Sequence, residues 1–508
     1  MLLAVTAIAA APRLALLGDI PPGLHGDEAS AGLEARRILA DGHIGAYSFR
    51  ALGVPAGTFY WAAVVFSLLG ESVFTLRLSF ALLGIATVSL SYLAFRVMFG
   101  RSTAMLAALL LAVSPWHLHY SRVAFIPIGW PLAQMATLLF LFVGLRRQSR
   151  MWFALAGACL GAGMYTYQGF SIFALALGAA IVWLAIFHFR RSLVPFVAQV
   201  GTMLGVALLV GLPLASFAHD HPNVFLGRYR EQNVTKSPEY EAAEGPFERA
   251  QYVATRELDY VRSVISRPAP DGVDAAGLFP LVDRVTLGLL IVGGAIAIWR
   301  VRSPPYGVVL VLTLIIGLGP ALAVGGAYRR TLGLTPLLAV FAALPLVVLS
   351  DEARRRGKKV ATAASVVVAL VIGAVAMIGL IRYFGSYDDD PRVGMVYGLE
   401  MAAASRYMGR LPQDTFVYLY SDRWYFNFEG RQFLAPDMEG LDYGKAARGF
   451  SLENTQPRSR GVAWVFLEPY EDNLRTVQAL YPGGESLIEY GDGRPLFWAY
   501  YLPPESGG

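Results

Sequence analysis

The sequence has few charged residues and a single cysteine. Of its 508 residues, 16% are Asp, Glu, Lys or Arg, whereas 55% are hydrophobic. Soluble domains carry about 25% charged residues, so this composition excludes an ordinary soluble protein and is typical of a membrane protein with many spans. The one cysteine, Cys159, lies inside an apolar segment, which excludes a framework of disulfide bonds.

Several common motifs are also absent. The chain has no P-loop, no Rossmann glycine fingerprint and no HExxH sequence. The net charge of +5 does not indicate nucleic-acid binding, because the basic residues cluster in short loops between apolar segments. The first apolar segment, Met1–Leu17, lacks a basic n-region and contains Pro12-Arg13, so it predicts a membrane helix rather than a cleavable signal peptide.

The apolar segments predict a polytopic α-helical membrane protein. A helix needs about 20 apolar residues to cross the hydrocarbon core of a bilayer. Thr58–Leu69 is short and aromatic, and is interpreted as a helix lying along the membrane surface. About eleven transmembrane helices are predicted, at Met1–Leu17, Val73–Phe99, Ser102–Trp116, Ile128–Leu145, Trp152–Tyr165, Phe170–Phe187, Leu193–Phe217, Val285–Trp299, Tyr306–Val324, Thr331–Leu349 and Val360–Phe384.

The loop charges predict the orientation of these helices. If the loop that follows Met1–Leu17 lies outside, residues 18–72, 117–127, 218–284 and everything after Phe384 also lie outside. The inside loops are then all basic, as the positive-inside rule requires. These loops are Arg96–Arg101, Arg146–Arg150, His188–Arg191, Arg300–Arg302 and Asp351–Lys359.

The chain is predicted to have two domains. Residues 1–384 form the transmembrane domain, with outer loops at 18–72 and 218–284. Residues 385–508 form a small α/β domain on the outer face of the cytoplasmic membrane. Its predicted helices are Val396–Met408 and Arg475–Leu480, and its predicted strands are Thr415–Tyr420, Val462–Leu467 and Phe497–Tyr501.

Asp27 and Glu28 are adjacent carboxylates just outside the first span, ahead of a helix at Ala31–Ala40. In one interpretation Asp27 caps the helix and Glu28 interacts with its positive end. In another, one carboxylate is a general base that accepts a proton from an acceptor hydroxyl or amine. The pair could also hold a divalent cation through oxygen ligands.

Basic, histidine and tyrosine residues recur at the predicted outer ends of the spans. His117 and His119 would share a face of an extended segment and could bind a metal, although no third ligand is nearby and interfacial histidines at a helix end are commoner. Arginine at this level suits a phosphate group or serves as an interfacial anchor. Tyrosines there fit an aromatic belt or a surface on which sugars stack. The candidates for phosphate are Arg77, Arg122, Arg329 and Arg330, and those for substrate are His25, His119, Tyr165 and Tyr167.

Together these motifs resemble the protein O-mannosyltransferase superfamily, which has the GT-C fold and includes the bacterial aminoarabinose-to-lipid-A transferases and other glycosyltransferase family 39 members. The resemblance rests on Asp27-Glu28, Gly70-Glu71-Ser72 with Arg77-Leu78, Ser114-Pro115 with Ser121-Arg122, the Tyr-x-Tyr ending at Tyr167, and the outer C-terminal domain.

The resemblance implies transfer of a hexose or pentose from a polyprenyl-phosphate carrier to a lipid, glycan or protein acceptor. Asp27 would be the base with Glu28 as its partner, and Arg329 and Arg330 would bind the phosphate. The chain departs from the pattern of many relatives at two places. Those relatives have a phosphate-contacting lysine before the surface helix, whereas the matching segment here, Gly53–Gly57, has no lysine. They also have an acidic residue shortly after the arginine that corresponds to Arg122, whereas Val123–Pro127 has no carboxylate. These departures leave arginines to hold the phosphate and argue against a required metal.

Two other functions stay open at this point. A transporter or flippase of lipid-linked saccharides would show inverted repeats and polar groups at the bilayer midplane, whereas the ionisable residues here lie mostly at span ends. A binding scaffold would use residues 385–508 to recognise a partner.

Overall fold

The computed structural model describes residues 1–50, 53–266, 280–323, 328–386, 390–443, 460–491 and 493–504. The chain divides into two compact units. The first comprises Met1–Ile20 and Glu34–Asp389, and the second comprises Pro21–Leu33 and Asp390–Gly508. The predicted domain division assigns residues 21–33 to the transmembrane part, whereas the structure groups them with the C-terminal residues.

The first unit is mainly helical, with one short antiparallel pair of strands, β1 (Tyr47–Ser48) and β2 (Val54–Pro55). Helix α2 begins in the second unit and continues into the first. The helices are α1 (Leu2–Leu14), α2 (Gly26–Asp41), α3 (Gly57–Leu69), α4 (Val73–Phe99), α5 (Arg101–Ala112), α6 (Pro115–Arg122), α7 (Gly129–Arg147), α8 (Arg150–Gly163), α9 (Phe170–Phe187), α10 (Leu193–Asp220), α11 (Pro222–Glu231), α12 (Pro238–Glu241), α13 (Pro246–Ile265), α14 (Arg284–Trp299), α15 (Pro304–Gly317), α16 (Leu334–Arg355) and α17 (Lys358–Ile381).

Each of the eleven predicted spans overlaps one of these helices within the described residues, and the polytopic α-helical fold class is confirmed. Helices α1, α5, α8 and α14 have only 13, 12, 14 and 16 residues, or about 18–24 Å at about 1.5 Å per residue. Within the described ranges, seven helical stretches are long and apolar enough to cross a membrane: Val73–Phe99, Ile126–Arg147, Phe170–Phe187, Arg190–Asp220, Pro304–Leu322, Leu334–Arg355 and Lys358–Gly385.

Burial separates central from peripheral helices within the first unit. In α4, α7 and α16, 61% of the most apolar window is buried, whereas the corresponding share is 17% for the stretch containing α10 and 22% for that containing α17. The peripheral helices expose large aliphatic side chains such as Leu208 and Leu370. An apolar surface of this kind suits lipid rather than water, so α4, α7 and α16 form the protein core and α10 and α17 face the bilayer.

Helices α8 and α10 pack closely through glycines. A Cβ atom at Gly157 would overlap the carbonyl oxygen of Met203, and one at Gly161 would lie 2.6 Å from that of Ala207. Small residues permit such backbone approach between membrane helices, where van der Waals contact drives association.

The second unit contains a mixed five-stranded sheet in the order β4-β3-β5-β7-β6. Strand β3 is parallel to β4 and β5, whereas β7 is antiparallel to β5 and β6. The elements are α18 (Pro391–Val396), α19 (Leu399–Met408), β3 (Phe416–Tyr420), α20 (Glu429–Leu434), β4 (Glu439–Tyr443), β5 (Val462–Phe466), α21 (Asn473–Leu480), β6 (Glu485–Gly491) and β7 (Arg494–Leu502).

The sheet separates two clusters of buried side chains, as the alternation of side chains along a strand requires. Val417 and Leu419 of β3 join the cluster that contains Met401 of α19. Tyr418 and Tyr420 join an aromatic cluster on the other face. The predicted small α/β fold at the C-terminus is therefore confirmed.

One predicted helix of this unit is wrong in its extent. Val396–Met408 is predicted as a single helix, but Gly398 adopts φ 61° and separates α18 from α19. Glycine adopts this left-handed conformation without the steric cost of a Cβ atom.

Candidate functional site

The first turn of α2 contains the two adjacent carboxylates. The carbonyl oxygen of His25 accepts the first helical hydrogen bond, from Ala29, so His25 is the N-cap. The His25 N–H donates to Oε2 of Glu28 at 3.2 Å, and the Asp27 N–H donates to Nδ1 of His25 at 3.0 Å. This is a variant of the capping box in which the N-cap side chain accepts from the second helical N–H rather than the third. The prediction that Asp27 itself caps the helix is wrong, because the residue two positions earlier occupies the cap.

The two carboxylates consequently have different environments. Glu28 is fully buried and its carboxylate accepts the capping hydrogen bond. The Asp27 side chain is 45% exposed, and its Oδ2 lies 3.9 Å from Nδ1 of His25. Asp27 is therefore the carboxylate of the pair that an acceptor could reach.

A separate cavity of about 310 Å³ lies in the first unit. Its lining includes two arginines, and none of the described residues that line it is a carboxylate. Two of the predicted site residues, Tyr167 and Arg330, meet there. The other polar residues that line it are Gln168, Ser171, Arg228, Tyr229, Gln232 and Asn233.

Arg330 is the most deeply buried cation of this cavity, with 8% of its surface exposed. Burial lowers its pKa, and the hydrogen bond from its guanidinium to the Tyr167 hydroxyl opposes that shift. Arg228 and Arg329 are close enough to lower the pKa further, yet an arginine remains protonated in proteins. Nη1 of Arg330 has no hydrogen-bond partner among the described residues. A buried cation with an unused donor is suited to an anionic ligand.

Side-chain hydrogen bonds fix the turn that carries Arg330. The chain forms a single 3-10 turn at Arg329–Thr331 and then enters α16. Gln134 donates from Nε2 to the Gly333 carbonyl at 2.8 Å and accepts from the Trp130 indole at 2.9 Å. The hydroxyl groups of Tyr260 and Thr331 are 2.6 Å apart. The turn is thus held from α7 and α13.

Arg122 and Arg77 are both buried at the C-terminal end of α1, where they donate to backbone carbonyls. Arg77 reaches Leu17 and Gly18 at 3.4 and 3.5 Å. The Arg122 guanidinium also lies over the rings of Tyr383 and Phe384. Carbonyls that end a helix need such donors, so these contacts give both arginines a structural role. The acceptors of Arg122 are the carbonyl groups of Pro12, Arg13, Ala15, Leu16 and Ile20, at 2.6 to 3.2 Å.

Replacing Arg122 with Met is expected to destabilise the protein by on the order of 3 kcal/mol, because several buried carbonyls would lose their donor. The thermal unfolding midpoint in detergent measures this. The control is Arg302→Met, which removes an exposed basic residue and should leave the midpoint almost unchanged. A stable Arg122→Met protein with weakened phosphate binding would instead restore Arg122 as a phosphate ligand.

Three further candidates lie outside the cavity. His117 and His119 lie in helix α6 rather than in an extended segment, so residues two apart point in different directions and the geometry assumed for a metal site is absent. His119 is fully buried and contacts the rings of Tyr120 and Tyr383. Tyr165 donates its hydroxyl to the Val210 carbonyl at 2.8 Å. Within the described ranges, no three His, Cys, Asp or Glu side chains are grouped to hold a metal ion.

Arg228 and Tyr229 are cavity residues that the sequence interpretation missed. They belong to α11, in the predicted outer loop 218–284. The Tyr229 hydroxyl donates to the Gln168 carbonyl at 3.2 Å, which ties this loop to the cavity wall. The signal was present in the sequence, because Arg228 and Arg230 are basic residues on the predicted outer side, as Arg329 and Arg330 are.

The sequence and the structure were compared with those of known proteins. A sequence model of the family described as dolichyl-phosphate-mannose-protein mannosyltransferase matches residues 54–216. The structure is similar to that of ArnT from Cupriavidus metallidurans bound to undecaprenyl phosphate, with a TM-score of 0.60 and 14% identity over 98% of this chain and 97% of that one. The chain has the GT-C fold.

A second GT-C structure is also similar. The oligosaccharyltransferase AglB from Archaeoglobus fulgidus, in complex with an inhibitory peptide and a dolichol-phosphate, has a TM-score of 0.53 and 15% identity over 98% of this chain and 74% of that one. No curated protein matches the sequence. The predicted resemblance to proteins with the GT-C fold is confirmed.

Proposed function

We propose that the chain is a multi-pass membrane glycosyltransferase that moves a sugar from a polyprenyl-phosphate carrier to an acceptor at the outer face of the cytoplasmic membrane. The main support for the proposal is the cavity of the first unit, which is lined by the buried Arg330 and by Arg228 and has no carboxylate among the described residues that line it. ArnT and AglB, which share the fold, have been solved with polyprenyl-type phosphates. The absence of a nucleotide-binding motif is consistent with a donor that arrives through the lipid phase.

The cavity chemistry fits the leaving group of such a reaction. When the bond between the anomeric carbon and the phosphate oxygen breaks, the electron pair and a negative charge remain on the carrier phosphate. Preorganised donors at that position stabilise the transition state more than the ground state. Arg330 supplies a guanidinium whose Nη1 has no hydrogen-bond partner among the described residues, and Arg228 supplies a second positive charge.

The acceptor needs a base. As the acceptor oxygen or nitrogen forms its bond to the anomeric carbon, it must release a proton, and we assign this proton to Asp27. The assignment rests on the exposure of Asp27 in contrast to Glu28, whose carboxylate accepts the capping hydrogen bond. Asp27 and the phosphate cavity belong to different units of the chain, so the two roles are proposed separately and require separate tests.

The proposal is tested by mass spectrometry of envelope glycans and glycolipids from cells with and without the gene. We expect one hexose- or pentose-containing product to disappear and the corresponding polyprenyl-phosphate sugar to accumulate. An unchanged set of glycans and glycolipids would contradict the proposal. The missing product would also identify the sugar and the acceptor class.

A further inference from the structure

The segment that carries Asp27 is attached to the C-terminal residues of the second unit. The Leu24 N–H donates to the Tyr397 carbonyl at 2.8 Å. Gly23 has φ +84°, and a Cβ atom there would lie only 2.5 Å from the same carbonyl oxygen. The approach of the two backbones therefore requires a residue without a side chain.

Two aromatic side chains of the C-terminal part support the first turns of α2. A Cβ atom at Gly26 would lie 3.2 Å from the ring of Phe428, and one at Gly32 would overlap the ring of Phe433. Because Gly26 and Gly32 have no side chain, the rings of Phe428 and Phe433 can pack against the backbone of α2. The start of α2 thus packs on the C-terminal residues of the same unit.

A short series of contacts leads from Tyr397 to Asp27. The rings of Tyr397 and His25 form an edge-to-face pair, with centroids 5.8 Å apart and an interplanar angle of 64°. His25 in turn accepts the Asp27 N–H at Nδ1. Tyr397 is fully buried, whereas the His25 side chain is 21% exposed. The buried ring therefore fixes the imidazole, and the imidazole fixes the backbone of Asp27.

We propose that His25 and Tyr397 are positioning residues for the base, so that the C-terminal residues form part of the catalytic apparatus. This inference rests on the proposed function and deepens it. His25 acts here as a hydrogen-bond acceptor and transfers no proton. His25 and Tyr397 would raise the rate by holding Asp27 in the orientation that the reaction needs, because a misplacement of about 1 Å can lower an enzymatic rate by about 10²-fold.

The test compares variants at His25. The side-chain amide of Asn can accept the hydrogen bond that the imidazole accepts, but it cannot transfer a proton. In His25→Asn, the side-chain oxygen can accept the same N–H, since Asn is a preferred N-cap residue. In His25→Ala, the acceptor is lost. We expect His25→Ala to lower kcat by about 10²-fold with an unchanged KM for a polyprenyl-phosphate sugar, and His25→Asn to restore kcat to near that of the wild type.

A second pair of variants, at Tyr397, tests the same support of Asp27 without changing the N-cap residue His25. Tyr397→Phe retains the ring and the backbone carbonyl and should keep kcat. Tyr397→Ala removes the ring and should lower kcat as His25→Ala does. Elution as a single species and the thermal unfolding midpoint report folding, and if His25→Ala does not accumulate, the Tyr397 pair decides the outcome.

Two results would overturn the inference. Wild-type kcat in both Ala variants would show that Asp27 needs no support. Loss of kcat in His25→Asn equal to that in His25→Ala would show that the imidazole transfers a proton itself. Failure of the proposed base gives a different result, since Asp27→Asn would then remain active.

Discussion

Replacing Asp27 with Asn is expected to lower the rate of sugar transfer by about 10²–10⁴-fold, the usual contribution of a general base. Asn has nearly the same shape as Asp but cannot accept the acceptor proton. The helix should remain intact, because the Asp27 N–H and the Glu28 carboxylate, rather than the Asp27 carboxylate, form the capping hydrogen bonds with His25. Transfer of sugar to the acceptor by purified protein is the measurement.

Two variants on the same helix serve as controls. Asp41→Asn makes the identical chemical change at an exposed position near the C-terminal end of α2 and should leave the rate unchanged. Glu28→Gln tests the other carboxylate, and because Gln also completes a capping box, most activity should remain. If Glu28→Gln were inactive and Asp27→Asn active, the role of base would pass to Glu28.

The second large effect is expected at Arg330. Arg330→Gln should weaken the binding of polyprenyl phosphate by about 10- to 100-fold, because a hydrogen bond to a charged group contributes about 1.5–3 kcal/mol. Gln keeps a polar side chain in the cavity but removes the charge that the phosphate requires. The binding constant is measured with polyprenyl phosphate in mixed micelles, as a function of salt.

Arg262→Gln is the matched control for this measurement. Arg262 lies on the predicted outer side in α13, is exposed, and forms an ion pair with Asp259 at 3.3 Å. Its removal should change the affinity by less than twofold or so, as exposed pairs contribute little. Equal losses in both variants would mean that general surface charge, and not the cavity, attracts the phosphate.

The features that depend on local composition could be predicted from the sequence. Runs of apolar residues predict eleven spans, and each overlaps a helix of the structure. Such runs are informative because a membrane helix forms all of its backbone hydrogen bonds within one segment. The central strands β3 and β5 were recognised by their apolar residues. The sequence does not predict the edge strands β4 and β6, because their residues are mostly exposed and lack an apolar pattern.

The site depended on contacts between distant segments, and here the sequence was less informative. A buried arginine that donates to the carbonyls at a helix end cannot be distinguished in sequence from a buried arginine that binds an anionic ligand. The structure distinguishes them by their surroundings, because Arg122 donates to carbonyls at and just beyond the end of α1, whereas Arg330 lines a cavity. The meeting of Arg228 with Arg330 is likewise set by tertiary packing.

Sugar transfer from the lipid carrier can be measured with the purified protein in lipid nanodiscs, supplied with a polyprenyl-phosphate sugar and the acceptor identified from cells. The measurement follows two products together by mass spectrometry: the glycosylated acceptor and the free polyprenyl phosphate. We expect the two to form in equal amounts, with both lost in Asp27→Asn. Movement of the intact donor across a membrane, with no free polyprenyl phosphate and no glycosylated acceptor, would show that the protein is a flippase and not a glycosyltransferase.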